Sequence, residues 1–158
     1  MENVKALVFV AAVAPEVGES TLDLATRYPG STLASSLNAP IVLASGAKDL
    51  YVRHDKFREQ LAADVPASKA KVMAFTQRPV TDAALSGRAT GSAWKSIPSW
   101  FVYGDKDNAI PPRILGEMAK RANSRETIVL KGGSHDVMVS HPREVAQMIE
   151  DAASGNNR

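Results

Sequence analysis

The chain has 158 residues, 44% of them hydrophobic and 23% charged, which is enough to bury one core and too mixed to read as disordered or fibrous. Its net charge of +2 comes from 19 basic and 17 acidic side chains scattered along the sequence, without the Lys/Arg block that tracks a phosphate backbone, so nucleic acid is not an expected partner. Cysteine is absent and the three histidines lie far apart in sequence, so disulfide, thiolate and zinc-motif chemistry drop out and neither cofactor nor metal is expected.

Taken in chain order, the first feature is the apolar run from Lys5 to Ala14. It is far shorter than the roughly 20 residues of a membrane span, and the expectation is a soluble, cytoplasmic protein that does not use a membrane. Its small-residue end superficially fits a secretory leader. The β-branched and aromatic content (Val4, Val8, Phe9, Val10) instead favours a strand over Val4 to Ala12, apolar at nearly every position as a parallel strand covered on both faces would be. Ser20 then caps a short helix to Tyr28. Ile41 to Val52 reads as a β-hairpin around Ser45-Gly46, and amphipathic stretches follow at Asp55 to Asp64 and Ala67 to Phe75. Pro79 and the polar run Ser86 to Ser92 break what comes after.

From Pro98 the rhythm changes to strand and helix in alternation. Ser99 to Tyr103 is a buried strand, Pro112 to Asn123 a helix with Ile114, Leu115, Met118 and Ala122 on one stripe, and Glu126 to Leu130 the next strand. The last helix has Pro142 at its first position, carries Val145, Met148, Ile149 and Ala152 on one face and stops at Ser154-Gly155. The fold class is therefore α/β, with about three parallel strands and flanking helices. Residues 1–14 and 97–158 form the core portion, and 15–96 an inserted helical cap that contains the hairpin.

In open parallel sheets the working side chains sit in loops at the carboxyl ends of strands. One such loop is Gly104-Asp105-Lys106-Asp107-Asn108-Ala109-Ile110-Pro111-Pro112, and the next is Gly132-Gly133-Ser134-His135-Asp136. A carboxylate and an imidazole thus leave adjacent strands at one edge of the sheet, as a Ser-His-Asp relay requires. Asp105 is the competing acid and reads as a solvated turn residue. His54 and His141 read as surface or helix-start residues, and Trp94 and Trp100 as packing anchors.

With these residues the sequence resembles the α/β-hydrolase superfamily. Asn3 to Ala12 looks like the family's sixth strand, Gln77-Arg78-Pro79-Val80 like part of its helical cap, Ile97 to Gly104 like the seventh strand, and Gly132-Gly133-Ser134-His135 like the turn after the eighth. The group most similar is the small esterases related to plant methylesterases and hydroxynitrile lyases. By that resemblance Asp107 is the triad acid and His135 the general base, and the parent activity is cofactor-free hydrolysis of a small apolar carboxylic ester. Two other readings stand beside it: a hydroxynitrile-lyase activity, for which the resemblance also asks for a cap lysine (Lys48, Lys56, Lys69, Lys71 or Lys95), and a non-catalytic remnant that binds through its cap.

The family's nucleophile sits in a G-x-S-x-G turn ahead of the sixth strand, and no G-x-S-x-G occurs in this sequence. Ser45 and Ser134 are the nearest imitations. Without nucleophile and oxyanion loop, the chain alone is expected to be inactive or very weak. The strand Val4 to Val10 would also expose an apolar edge, through which self-association or pairing with a complementary chain is expected. The only other expected partner is the small-molecule ester.

Overall fold

The computed structural model describes residues 3–155; residues 1, 2 and 156–158, counted above with the core portion, lie outside the described residues. In chain order the regular elements are β1 (Leu7–Val10), α1 (Thr21–Ala25), β2 (Ile41–Val42), β3 (Lys48–Leu50), α2 (His54–Leu61) and α3 (Ala67–Thr76). They continue with β4 (Val80–Thr81), α4 (Asp82–Ser86), β5 (Ser99–Gly104), α5 (Pro112–Arg121), β6 (Glu126–Leu130), α6 (Val137–Ser140) and α7 (Pro142–Ser154).

The first sheet is parallel with order β1-β5-β6, so the chain leaves it after β1 and returns at its centre. β5 is buried along its whole length, and its alternation divides the core. Phe101 and Tyr103 pack with Ile114, Leu115 and Met118 of α5, whereas Trp100 and Val102 pack with Val137 and with Val145, Met148 and Ala152 of α7. Ile149, expected on the buried face of α7, is 49% exposed. The expected strand Val4 to Ala12 is regular only over Leu7–Val10, and those residues are half-buried instead of fully covered. Ala11 turns the chain with φ of 44°, and among the described residues β1 has a neighbour on one side only, which leaves its apolar side chains partly open.

The segment between β1 and β5 has its own small core of Val52, Phe57, Ala62, Val65, Ala70 and Ala74. The expected hairpin is present, but its second strand starts earlier, at Lys48, and a third strand joins it: β4 pairs antiparallel with β3. Pro79 had marked this stretch as a break, because a strand of two residues next to a proline carries no periodicity. The Gln77 side chain secures the place, accepting the Val52 N–H at 3.0 Å and donating to the Val52 carbonyl at 2.9 Å as a neighbouring strand would. α1 starts as expected at Ser20, whose hydroxyl and Asp23 form a reciprocal capping box, but it ends at Ala25. Glu19, just before it, ties the segment to α5. Hydrogen bonding to Arg121 holds its carboxyl down to about 2 against the opposing effect of burial, with the Glu16 backbone and Arg27 adding to the pull.

Candidate active site

Asp107 stands in the loop after β5 with its side chain shielded from water. Such a carboxylate needs partners, and it has three. Oδ1 accepts the backbone N–H groups of Ala109 at 2.8 Å and Ile110 at 2.9 Å, and Oδ2 lies 2.8 Å from Nδ1 of His135 in the loop after β6. Because a carboxylate accepts, Nδ1 carries the hydrogen, and Nε2 of the neutral ring is left to take a proton. Nε2 has no hydrogen-bond partner among the described residues. Burial works to lower the His135 pKa, but the Asp107 hydrogen bond and charge, joined by Asp136, outweigh it and raise it above the ordinary value of 6.5.

Two glycines set this distance. A Cβ on Gly104 would lie 2.0 Å from the Gly133 carbonyl oxygen, and one on Gly133 would lie 3.1 Å from the Gly104 Cα. With no side chains between them the loops close, and the Lys106 N–H reaches the Gly133 carbonyl at 2.9 Å. Asp105, read above as a solvated turn residue, is part of the same joint: its Oδ1 accepts the Gly132 N–H at 2.6 Å.

The end of α2 braces both loops from the other side, which the sequence reading missed. The Leu61 carbonyl accepts the Ser134 hydroxyl at 2.9 Å and the Asp136 N–H at 2.8 Å, so it holds the residues on either side of His135. Ser134 also bonds Asp64. Gln60, only 2% exposed, accepts the hydroxyls of Thr32 and Ser36, each at 2.8 Å, and donates to the Asn108 carbonyl at 2.7 Å, next to Asp107. One signal was present: Gln60 is three residues after Phe57, on the face that α2 buries.

His135 lines a cavity of about 550 Å³ whose walls are mostly apolar, among them Leu33, Leu37, Val52, Phe57, Leu61 and Ile110. None of the five candidate lysines lines it. Lys95 instead pairs with Glu16, and Lys56 with Glu59. Ser45 lies in the exposed hairpin turn, and the Ser134 hydroxyl is committed to Leu61 and Asp64, so neither serine is hydrogen-bonded to His135. His54 opens α2 on the surface with its ring against Phe75, and His141 precedes α7, bonded to the Ser140 hydroxyl at 2.9 Å. Trp94 does anchor packing, its Nε1 donating to the Pro15 carbonyl at 2.9 Å. Among the described residues no group of three His, Cys, Asp or Glu side chains is placed to hold a metal, and no helix is long and apolar enough to cross a membrane.

The model of the alpha/beta hydrolase family matches residues 2–148. Among curated proteins the chain is similar to the alpha/beta hydrolase nvfD of Aspergillus novofumigatus, at 31% identity over 148 residues, which make up 93% of this chain and 56% of the relative. Among solved structures it is similar to polyneuridine aldehyde esterase, with TM-score 0.78, 15% identity and coverage of 96% of this chain and 63% of the other. It is also similar to a tomato methylketone synthase I variant complexed with beta-ketoheptanoate, with TM-score 0.71, 16% identity and coverage of 98% and 62%. At these identities the structural likeness is one of fold. The chain thus spans less than two thirds of the length of these proteins.

Proposed function

Because the chain belongs to the alpha/beta hydrolase family, we propose that Asp107 and His135 are the acid and base of a Ser-His-Asp relay in a cofactor-free hydrolase of small apolar carboxylic esters. The observation that carries this reading is the 2.8 Å contact between a shielded carboxylate and an imidazole that lines an apolar cavity. In the proposed reaction His135 takes the proton of the attacking hydroxyl at Nε2 and returns it to the leaving alcohol. Asp107 meanwhile fixes the ring and stabilises the imidazolium. Residues 15–96 serve as a cap that shapes the apolar site, in keeping with an ester of little charge.

The serine is to come from a G-x-S-x-G turn, which this sequence does not contain, and with it half of the oxyanion hole. We therefore propose that the chain alone turns over esters very weakly or not at all. The free side of β1 is the proposed site for a strand carrying that turn, or for a second copy of the chain. The test is hydrolysis of a short-chain p-nitrophenyl ester by the chain, by a longer version with a G-x-S-x-G strand and turn ahead of Val4, and by His135→Ala of each. Activity confined to the longer version and lost with His135 supports the reading. Turnover by the short chain that depends on His135 would overturn the missing-nucleophile part, and turnover indifferent to His135 would overturn the relay.

A further inference from the structure

Asp136 directly follows His135 and occupies the N-cap position of α6. An aspartate there ordinarily turns its carboxylate back onto the free N–H groups of the first turn. This one makes no such bond. Its backbone is fixed on both sides, the N–H held by the Leu61 carbonyl at 2.8 Å and the carbonyl taking the Val139 N–H at 2.9 Å. The carboxylate nevertheless receives no hydrogen bond and enters no ion pair with any described residue. It is partly buried and lines the same cavity as His135. Burial pushes its pKa up; the attraction of His135 opposes the push, and the charges of Asp107 and Asp64 add to it. A carboxylate withdrawn from water without a partner is costly to keep. Among the described residues that line the cavity Asp136 is the one carboxylate.

We propose that Asp136 is a specificity-determining residue that meets the ligand, selecting molecules that present an ammonium or a neutral N–H or O–H donor beside His135 and rejecting carboxylates. This rests on reading the cavity as the substrate site, and narrows the substrate class from any apolar ester to one bearing such a donor near the reacting group. Two neighbours make the assignment specific. Asp107 cannot supply the selecting charge, because its side chain is fully shielded and His135 covers it. Arg78, the other charged side chain apart from His135 that lines the cavity, is exposed and pulls the preference in the opposite direction.

The test is binding of three probes of equal length, hexylammonium, hexan-1-ol and hexanoate, at about pH 8, where the free amine is protonated and free hexanoate is ionised. Affinity is followed by calorimetry and contact by the shift of the His135 Cε1 proton. The chain should bind hexylammonium at least about tenfold more tightly than hexanoate, and Asp136→Asn should bring the two to within about twofold. Hexan-1-ol is uncharged and its hydroxyl can donate to the Asp136 carboxylate or to the amide oxygen of the variant, so it should bind both proteins alike, which also reports that the variant keeps its cavity. Hexanoate binding as tightly as hexylammonium, or a preference that survives Asp136→Asn, overturns this proposal while the hexan-1-ol signal leaves the cavity reading standing. Failure of hexan-1-ol to bind the unaltered chain overturns the cavity reading and this proposal with it.

Discussion

At the residue scale, the Asp107–His135 pair makes a statement about pH as well as geometry. The folded chain holds a proton on His135 more tightly than an unfolded one, so this contribution to stability is fully present below the ordinary pKa of 6.5 and is lost as pH rises through the raised folded value. In Asp107→Asn the attraction of Asp107 disappears while the burial and the charge of Asp136 stay. The His135 pKa should then fall, and the loss of stability with rising pH should shrink, or reverse if the pKa drops below its ordinary value, both measurable by NMR titration and urea melts across the range. Gly104 is the second sensitive position. Its substitution by Ala drives a methyl group into backbone at 2.0 Å, which no rotamer change can relieve, and it should cost upwards of about 2 kcal/mol and separate the two loops. Thermal unfolding and loss of the shifted His135 resonance would register both effects. That Asp107 and His135 belong together was legible in the sequence, since each follows a recognisable strand by a few residues. The part played by Asp105, Gly104 and Gly133 was not, because it depends on how closely two loops remote in sequence approach.

At the scale of elements, α2 links the inserted segment to the loops of the site. Gln60 is the centre of that link: three hydrogen bonds converge on a side chain almost without access to water. Gln60→Leu leaves the Thr32 hydroxyl without its acceptor and takes one of two partners from the Ser36 hydroxyl, which keeps the Thr32 carbonyl, and from the Asn108 carbonyl, which keeps the Thr32 N–H, and it should cost about 1–3 kcal/mol. Gln60→Glu is the informative companion, because it can still accept from Thr32 and Ser36 but, when ionised, cannot donate to Asn108. If the brace works through Asn108, both variants should speed hydrogen exchange at the Ala109 and Ile110 amides that hold Asp107. If exchange there is unchanged, Gln60 stabilises the insertion alone. The helix was expected from Phe57 and Leu61, and the polar residue on its apolar side was the one sign that the buried face met something other than hydrocarbon. What it met is supplied by a loop 48 residues away, and local periodicity carries no information about that.

At the scale of the whole molecule, the parallel sheet is narrow and, among the described residues, one side of β1 is open. The N–H groups of Leu7 and Ala11 point inward, to the carbonyls of Pro98 and Val102 at 2.9 and 2.8 Å. By the alternation of a strand those of Val8 and Val10 face the free edge. Val8→Pro therefore removes an edge donor without removing a bond to β5, and the association proposed through this edge should weaken in sedimentation velocity while the melting temperature changes little. Association unaffected by the proline would place the contact elsewhere. By itself the sequence determined the α/β alternation, the segment inserted after the first strand, and the acid and histidine at neighbouring strand ends. Those features are written in hydrophobic period, in Gly and Pro punctuation and in the order of a few polar residues, all of which act over short stretches of chain. Tertiary structure alone decided the third strand of the small sheet, the glycine-to-glycine closure, the hold of α2 on both loops and the unpartnered carboxylate of Asp136, a residue that lines the cavity. Each of these is a contact between segments distant in sequence, or the lack of one, and its energy exists only once the chain has brought those segments within a few ångströms of each other.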